Sequence, residues 1–105
     1  MANMMKLMKQ AAAVQKDMAR IQEELATKTV EFSSGGGMVT AVATGEGNIV
    51  SIKIDPKVVV PAETDLLEDI VLAAVDGALK KGREMATAEM QKVTAGLGIS
   101  GMLGL

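Results

Sequence analysis

The sequence predicts an α+β fold in which a long helix, three strands and a second long helix follow one another. Three observations support this order: a heptad pattern of apolar residues near the start, alternating β-branched segments in the middle, and a second helical pattern after residue 65. The chain has 105 residues, which is enough for one domain. We therefore expect a single α+β domain over residues 1–95 and a flexible, glycine-rich tail over residues 96–105.

The first predicted helix, about residues 3–27, has two different faces, and Asn3 is its expected N-cap. Apolar residues recur at alternating intervals of three and four, a pattern typical of a heptad seam. This seam consists of Met4, Leu7, Ala11, Val14, Met18, Ile21 and Leu25. The opposite, cationic face consists of Lys6, Lys9, Lys16 and Arg20. Since the helix would be roughly 36 Å long, part of it should project from so small a body or pair with another chain.

Three β-branched or alternating segments predict strands at about residues 29–33, 38–44 and 49–54. Turns rich in glycine separate them, before residue 38 and before residue 49. Asp55-Pro56 ends the third strand, because proline cannot donate a hydrogen bond to a sheet. The short links between consecutive strands predict a three-stranded antiparallel meander.

The second predicted helix spans about residues 66–94, with Asp65 as its expected N-cap and Glu68 completing a variant of the capping box. Its first half is apolar on most sides, as expected for a helix that covers a sheet. Its second half narrows to one apolar stripe and predicts a second projecting arm. Gly77 and Gly82 lie inside the predicted helix, where each costs about 1 kcal/mol relative to alanine, and we expect them to permit either a close helix approach or a bend.

The net charge of −2 is an average over regions of opposite sign. Residues 1–20 carry +3, residues 80–92 carry +2, and residues 21–79 carry −7. Because a local field can attract a ligand that the total charge would repel, this pattern favours an anionic partner held by the two helices. The second cationic cluster is the weaker one, since Glu84 and Glu89 lie among its members, which are Lys80, Lys81, Arg83 and Lys92.

The cationic face of the first helix has two other interpretations. It could be a solvated helix face without a specific partner. It could also lie on a membrane surface, but it lacks the large apolar anchors of an interfacial helix.

The scarcity of aromatic residues and the absence of cysteine limit how this chain can form a stable core. Phe32 is the only aromatic residue, and the chain has nine methionines and no cysteine. Because aromatic side chains supply large buried areas, a core without them is thin, which favours an obligate oligomer. The sequence contains no recognisable signal peptide or membrane span. We expect a cytoplasmic protein that does not depend on disulfides.

Catalysis is not expected from this composition. The chain has no histidine and no cysteine, so the usual metal ligands, the usual general base and the thiol nucleophile are missing. Gly35–Gly37 lacks the following Lys-Ser/Thr of a phosphate loop and is interpreted as a hairpin turn. We therefore expect no enzymatic activity, no metal, no cofactor and no small-molecule substrate.

Five segments form a specific combination when they are taken in their order along the chain. They are GGGMVTAV at residues 35–42, Gly45-x-Gly, IVSIKIDP at 49–56, DLLEDIVLAAV at 65–75 and MQKVTAGLG at 90–98. With an opening helix rich in Met, Gln, Lys and Glu, this combination resembles the YbaB/EbfC family of bacterial nucleoid-associated proteins. The resemblance implies a tweezers-like homodimer with helices projecting from a joined β core. It also implies DNA binding that alters DNA conformation, a location in the nucleoid and a role in gene regulation.

The leading hypothesis is a dimeric, non-enzymatic protein that binds duplex DNA, largely through the phosphate backbone. The family's DNA contacts are attributed to the projecting helices, so the resemblance extends to the basic residues there: Lys6, Lys9, Lys16, Arg20, Lys80, Lys81, Arg83 and Lys92. The charge pattern alone does not distinguish DNA from RNA or another polyanion. An alternative hypothesis is an interaction module, in which methionine-lined arms clasp a partner protein.

Overall fold

The computed structural model describes residues 2–96 and has the predicted order of elements. In chain order, these are helix α1 (Ala2–Thr27), strands β1 (Thr29–Ser34), β2 (Val39–Thr44) and β3 (Ile49–Ile54), two 3₁₀ turns (Pro56–Val58 and Pro61–Glu63) and helix α2 (Thr64–Gly96). The α+β class with its α-β-β-β-α order is confirmed. Neither helix, over the part of the chain that the structure describes, is long and apolar enough to cross a membrane.

The three strands form one antiparallel sheet in the order β1-β2-β3, which confirms the predicted meander. Glycine makes the two turns possible, because it adopts positive φ values without steric cost. Gly35–Gly37 have φ values between 62° and 89°, and Gly47 has a φ of 96°. After β3, the Asp55 carboxylate accepts a hydrogen bond from the backbone N–H of Lys57 and so fixes the first residues of the connection to α2.

The core lies between the sheet and α2, and small side chains form it. Val39, Ala41 and Ala43 of the central strand are fully buried together with Ala74 and Ala78 of α2. Alternate residues of a strand point to the same face, so these three β2 residues define the face that α2 covers. Such small residues allow the helix axis to lie close to the sheet.

Two glycines of α2 lie where the helix comes closest to the sheet. A Cβ atom on Gly77 would lie 2.2 Å from the ring of Phe32, and one on Gly82 would lie 2.6 Å from the carbonyl oxygen of Thr44. Both distances are far shorter than ordinary van der Waals contacts. Of the two roles predicted for these glycines, close packing is the one that the structure shows.

Helix α1 packs against the body through its C-terminal part. Ile21 and Leu25 are buried against Val93 of α2, and the carbonyl oxygen of Leu25 accepts a hydrogen bond from the backbone N–H of Gly45 at 3.0 Å. Its N-terminal half is largely exposed. The molecule measures 73 × 25 × 16 Å and has a radius of gyration of 20.0 Å, whereas a compact domain of this length has about 13 Å. The extended shape confirms the predicted projecting helices.

Both predicted helix caps are wrong. Asn3 lies inside α1, which already includes Ala2, and Asp65 lies in the first turn of α2, which begins at Thr64. The second error has a local cause, because the 3₁₀ turn Pro61–Glu63 runs directly into α2. The strand boundaries agree with the prediction within one residue. The predicted tail lies outside the described residues, apart from Gly96.

Candidate nucleic-acid interface

The cationic face of α1 is exposed along most of the helix. The helix is continuous because the first 27 residues hold no glycine and no proline. With 3.6 residues per turn, its four basic residues fall within an arc of roughly 80° and extend over roughly 21 Å. The seam lies on the other side of the helix, so its packing leaves this arc accessible. The four exposed side chains are Lys6, Lys9, Lys16 and Arg20.

Ion pairing divides the cationic face into two parts. The guanidinium of Arg20 lies 3.6 Å from the carboxylate of Asp17 and 3.3 Å from that of Glu24. Within residues 2–96, no carboxylate forms an ion pair with the other three cations, Lys6, Lys9 and Lys16. Exposed ion pairs are weak, so Arg20 can still exchange partners. The positive charge of the three lysines is nevertheless neutralised less by neighbouring carboxylates than that of Arg20.

The predicted cations of α2 do not form one patch. Lys80 and Arg83 share one side of the helix and line a shallow surface site with Glu84. Lys81 and Lys92 lie on another side, which is separated from the first by roughly 100° or more. The Nζ of Lys81 donates a hydrogen bond to the backbone carbonyl of Glu31 in β1 at 3.0 Å. Lys81 therefore links α2 to the sheet, and Lys80 and Arg83 remain as the outward cations of this arm.

A cluster of alternating charges connects the two helices. Glu89 of α2 lies 3.3 Å from Lys92 and 3.5 Å from Lys28, which follows the end of α1. The hydrogen bond from Lys92 is the main cause that lowers the pKa of Glu89 below its ordinary value of 4.5, and the charge of Lys28 adds to it. Sequence reasoning did not select Lys28, because its partner is 61 residues away and no local pattern links the two. This cluster joins the arms and reduces the charge that Lys92 offers to a ligand.

An open groove lies on the other side of the joint between the helices. It has a volume of about 610 Å³, and its apolar lining includes Leu25, Ala86 and Met90. Its polar lining consists of amide and hydroxyl side chains with the single carboxylate of Glu46. In residues 2–96, no group of three or more acidic side chains could hold a metal ion. The groove therefore offers an apolar contact surface without a pair of groups for acid–base chemistry.

Comparison with known proteins places this architecture in a family. The sequence pattern of the YbaB/EbfC DNA-binding family matches residues 1–97. A nucleoid-associated protein of Acetivibrio thermocellus is 55% identical over 96 residues, covering 91% of this chain and 85% of that protein. A nucleoid-associated protein of Syntrophobacter fumaroxidans is 50% identical over 95 residues, covering 90% of this chain and 86% of that protein.

A solved structure has the same fold at much lower identity. The crystal structure of an uncharacterized protein from Helicobacter pylori superimposes with a TM-score of 0.62 at 20% identity, covering 74% of this chain and 90% of that one. The family pattern extends over both helices and the sheet. The chain therefore belongs to the YbaB/EbfC DNA-binding family.

Proposed function

We propose that this chain is a nucleoid-associated protein that binds duplex DNA as a homodimer and has no enzymatic activity of its own. The observation that carries the proposal is the position of Lys6, Lys9 and Lys16. They share one exposed face of the projecting part of α1, and within the described residues none of them forms an ion pair. Membership of a DNA-binding family and the names of the relatives support DNA as the anionic partner.

The dimensions of this face fit the phosphate backbone. Lys6 and Lys16 are ten residues apart, which corresponds to roughly 15 Å along the helix. The major groove of B-DNA is about 12 Å wide, so lysines at the two ends can reach phosphates on opposite sides of a groove. Lysine neutralises a phosphate and releases a counterion without reading the base sequence. We therefore expect affinity with little sequence preference.

The second step of the proposal is the homodimer, and strand β3 supports it. Val50, Ile52 and Ile54 are 59%, 42% and 41% exposed. Ile52 and Ile54 lie opposite Ala41 and Val39, so they are on the face that α2 covers over the other strands. Within residues 2–96, β3 pairs only with β2, and its other edge is unpaired. An unpaired edge with an apolar face invites association unless something covers it.

A second copy of the chain is a suitable cover for β3. A two-fold interface places the same apolar surface on both partners, so each copy covers the other. Val59, in the connection that follows β3, is also exposed. Joining two sheets in this way doubles the number of arms. Four arms on one duplex would constrain its path, which is how we expect the protein to alter DNA conformation and to act in nucleoid organisation and gene regulation.

The test is DNA binding as a function of salt, measured by fluorescence anisotropy on duplexes of unrelated sequence. Six α1 lysines per homodimer predict a slope of log affinity against log salt of about −5. The double variant Lys9→Gln/Lys16→Gln removes four of them and should reduce the slope to about −2. The affinities for the unrelated duplexes should remain similar to one another.

The control variant is Lys53→Gln/Lys57→Gln, which removes the same charge from the sheet and the connection after it. It should leave the slope near that of the unmodified protein. If both variants reduced the slope equally, DNA binding would depend only on net charge, and α1 would not be the DNA-binding site. A slope near zero in the unmodified protein would contradict the electrostatic proposal itself.

A second candidate function is a clasp for another protein, and the exposed methionines favour it. Met5 and Met8 line a small, mostly apolar surface site with Ala12 near the N-terminal end of α1. Methionine side chains adapt to different apolar partners. The variant Met5→Ser/Met8→Ser keeps every charge, so it should leave DNA affinity unchanged in either function and should weaken binding of a partner protein only in the clasp function. Lys9→Gln/Lys16→Gln should weaken DNA binding and, in the clasp function, should leave partner-protein binding intact.

A further inference from the structure

The apolar seam of α1 is buried near the C-terminal end of the helix and exposed over the rest of its length. Among the residues that the structure describes, Ile21 and Leu25 are each 4% exposed. By contrast, Met18 is 40%, Leu7 53% and Met4 69% exposed. The same heptad pattern runs through both parts, so the exposed part has the spacing that suits a second helix. From Leu7 to Met18 it is roughly 17 Å long.

The buried part of the seam shows in which direction a packed helix runs. Ile21 of α1 packs against Val93 of α2. Lys28, which follows α1, pairs with Glu89, which precedes Val93, so α2 is antiparallel to α1. A helix that continued along the exposed seam in the direction of α2 would also be antiparallel to α1. The α1 helix of a second copy suits this position, because it carries the same apolar spacing.

The residues that flank the exposed seam allow two copies of α1 to lie side by side. In a heptad, the flanking positions usually carry the charges that select a partner. Here they are occupied by Met8, Gln10 and Gln15, which are uncharged. The next flanking residue is Asp17, whose carboxylate lies 3.6 Å from the guanidinium of Arg20 on its own helix. The cationic face lies on the opposite side of α1, so two seams can meet without bringing the lysines together.

We propose that the exposed seam of α1 pairs in antiparallel orientation with the same seam of a second copy. In this two-fold arrangement, Leu7 lies beside Met18 of the second copy, and Ala11 lies beside Val14. A parallel pair is excluded by the joint between the arms. It would bring the second α1 to the place beside Ile21 that α2 already occupies.

The contact is small, so the pair is weak and depends on protein concentration. Each copy contributes four seam residues, one of which is an alanine, and such a contact buries far less than the about 1,200 Å² of a standard interface. It includes no residue of β3, so it can link copies that are already joined there. The cationic faces stay open on the outside of each pair.

The absence of cysteine from the chain allows disulfide formation to report the arrangement. Two full-length variants, Leu7→Cys and Met18→Cys, are mixed and mildly oxidised, and mass spectrometry distinguishes the mixed disulfide from the two symmetrical ones. The matched control is a mixture of Ala12→Cys and Ala13→Cys, two exposed positions in the middle of the same stretch but off the seam. All four variants keep every charge.

We expect the mixed disulfide of Leu7→Cys with Met18→Cys to form about tenfold faster or more than any disulfide of the control mixture, because the pair holds the two thiols together. It should also form faster than either symmetrical product. In the antiparallel pair, two Leu7→Cys positions are roughly 17 Å apart along the helices, which is too far for a disulfide. A symmetrical Leu7→Cys product that formed fastest would indicate a parallel pair, and rates equal to the control would indicate no pair. Both outcomes would overturn the proposal.

Sedimentation equilibrium over a range of concentrations gives an independent measurement on a full-length chain without thiols. The average mass of the unmodified protein should continue to rise at high concentration. Leu7→Ser/Met18→Ser should weaken this association about tenfold or more, because it removes apolar area from the contact, whereas Ala12→Ser/Ala13→Ser should leave it unchanged. No association at high concentration, or equal effects of the two variants, would overturn the proposal. Neither measurement involves DNA or β3, so a failure here is distinguishable from a failure of the proposed function.

Discussion

At the scale of single residues, the atoms that face Gly77 and Gly82 explain why α2 has glycine at these two positions. Intrinsic helix preference favours alanine over glycine by about 1 kcal/mol, so a glycine in the middle of a helix needs another reason. At Gly82, this reason is the carbonyl oxygen of Thr44, which a Cβ atom would approach to 2.6 Å. Because that oxygen belongs to the backbone at the end of β2, it cannot rotate away as the tip of a side chain can.

The substitution Gly82→Ala should therefore destabilise the protein although it improves helix preference. Overpacking of a well-packed contact typically costs about 1–3 kcal/mol, and the gain of about 1 kcal/mol in helix preference offsets part of this cost, so we expect a net loss of up to about 2 kcal/mol in the free energy of unfolding. Chemical denaturation measures it. The control is Ala88→Gly at an exposed position of the same helix, which should cost about 1 kcal/mol through preference alone. A stabilised Gly82→Ala variant would show that the helix and the sheet are not in tight contact here.

The titration of Glu89 should make the stability of the folded protein depend on pH. Its pKa is lowered in the folded protein, chiefly by the hydrogen bond from Lys92 and further by the charge of Lys28. A carboxyl with a lowered pKa in the folded state stabilises the protein above its unfolded pKa, and this contribution is lost as the pH falls through the folded value. The unmodified protein should therefore lose melting temperature below pH 4.5, the ordinary value for this side chain.

The variant Glu89→Gln should lose less melting temperature over the same acid range, since glutamine cannot titrate. Thermal unfolding between neutral pH and pH about 3 at low salt measures the difference, because salt screens exposed pairs. Glu84→Gln, which lies outside the described ion pairs, should follow the unmodified protein. If both variants had the same acid dependence, Glu89 would not be the group that joins the arms.

At the scale of secondary-structure elements, the two arms are joined over a short contact. Leu25 is almost fully buried, and its side chain also packs against Gly45 between β2 and β3. Truncation of such a leucine typically costs about 2–5 kcal/mol. We expect Leu25→Ala to lower the free energy of unfolding within this range and to increase hydrogen exchange in the C-terminal half of α1.

The comparison for Leu25→Ala is Met5→Ala at the N-terminal end of the same helix. Met5 lies off the seam and is exposed, so its truncation should change the free energy of unfolding by less than about 0.5 kcal/mol. If the two substitutions had similar effects, α1 would be held along its whole length and not at the joint.

The elements were predictable where a local pattern defines them. The period of two in β3 and the Asp55-Pro56 stop predicted its boundaries, and the heptad seam predicted α1. The cap at Asp65 was wrong because a 3₁₀ turn runs directly into α2, a continuity that residue preference does not encode. The cations of α2 appeared as one cluster in the sequence, but their angular positions and the bond from Lys81 to β1 divide them.

At the scale of the whole molecule, charge and shape act together. The basic residues of α1 lie at one end of a molecule that is 73 Å long, whereas residues 21–79 carry a net charge of −7. We therefore expect a polyanion to be attracted to the arms and repelled by the body. Sequence reasoning suggested this separation, but not where a second copy would dock. The apolar face of β3 is visible only once the placement of α2 over the other strands is known.

The variant Ile52→Glu tests the proposed homodimer. A charge in the centre of the exposed apolar face of β3 should prevent a second copy from covering it, because an unpaired buried carboxylate is costly. Light scattering should then give the mass of one chain, 10.9 kDa, instead of twice that mass. With half the lysines per particle, the salt slope of DNA binding should fall to about −3.

The matched variant is Thr29→Glu, which adds the same charge to an exposed position at the opposite edge of the sheet. It should keep twice the chain mass and the full salt slope, and circular dichroism should show that both variants retain their helices. A dimer that survives Ile52→Glu but dissociates in Thr29→Glu would move the interface from β3 to β1. Loss of the dimer in Ile52→Glu with an unchanged salt slope would mean that a single chain supplies all the DNA contacts, so that dimerisation serves to arrange the arms and not to add charge.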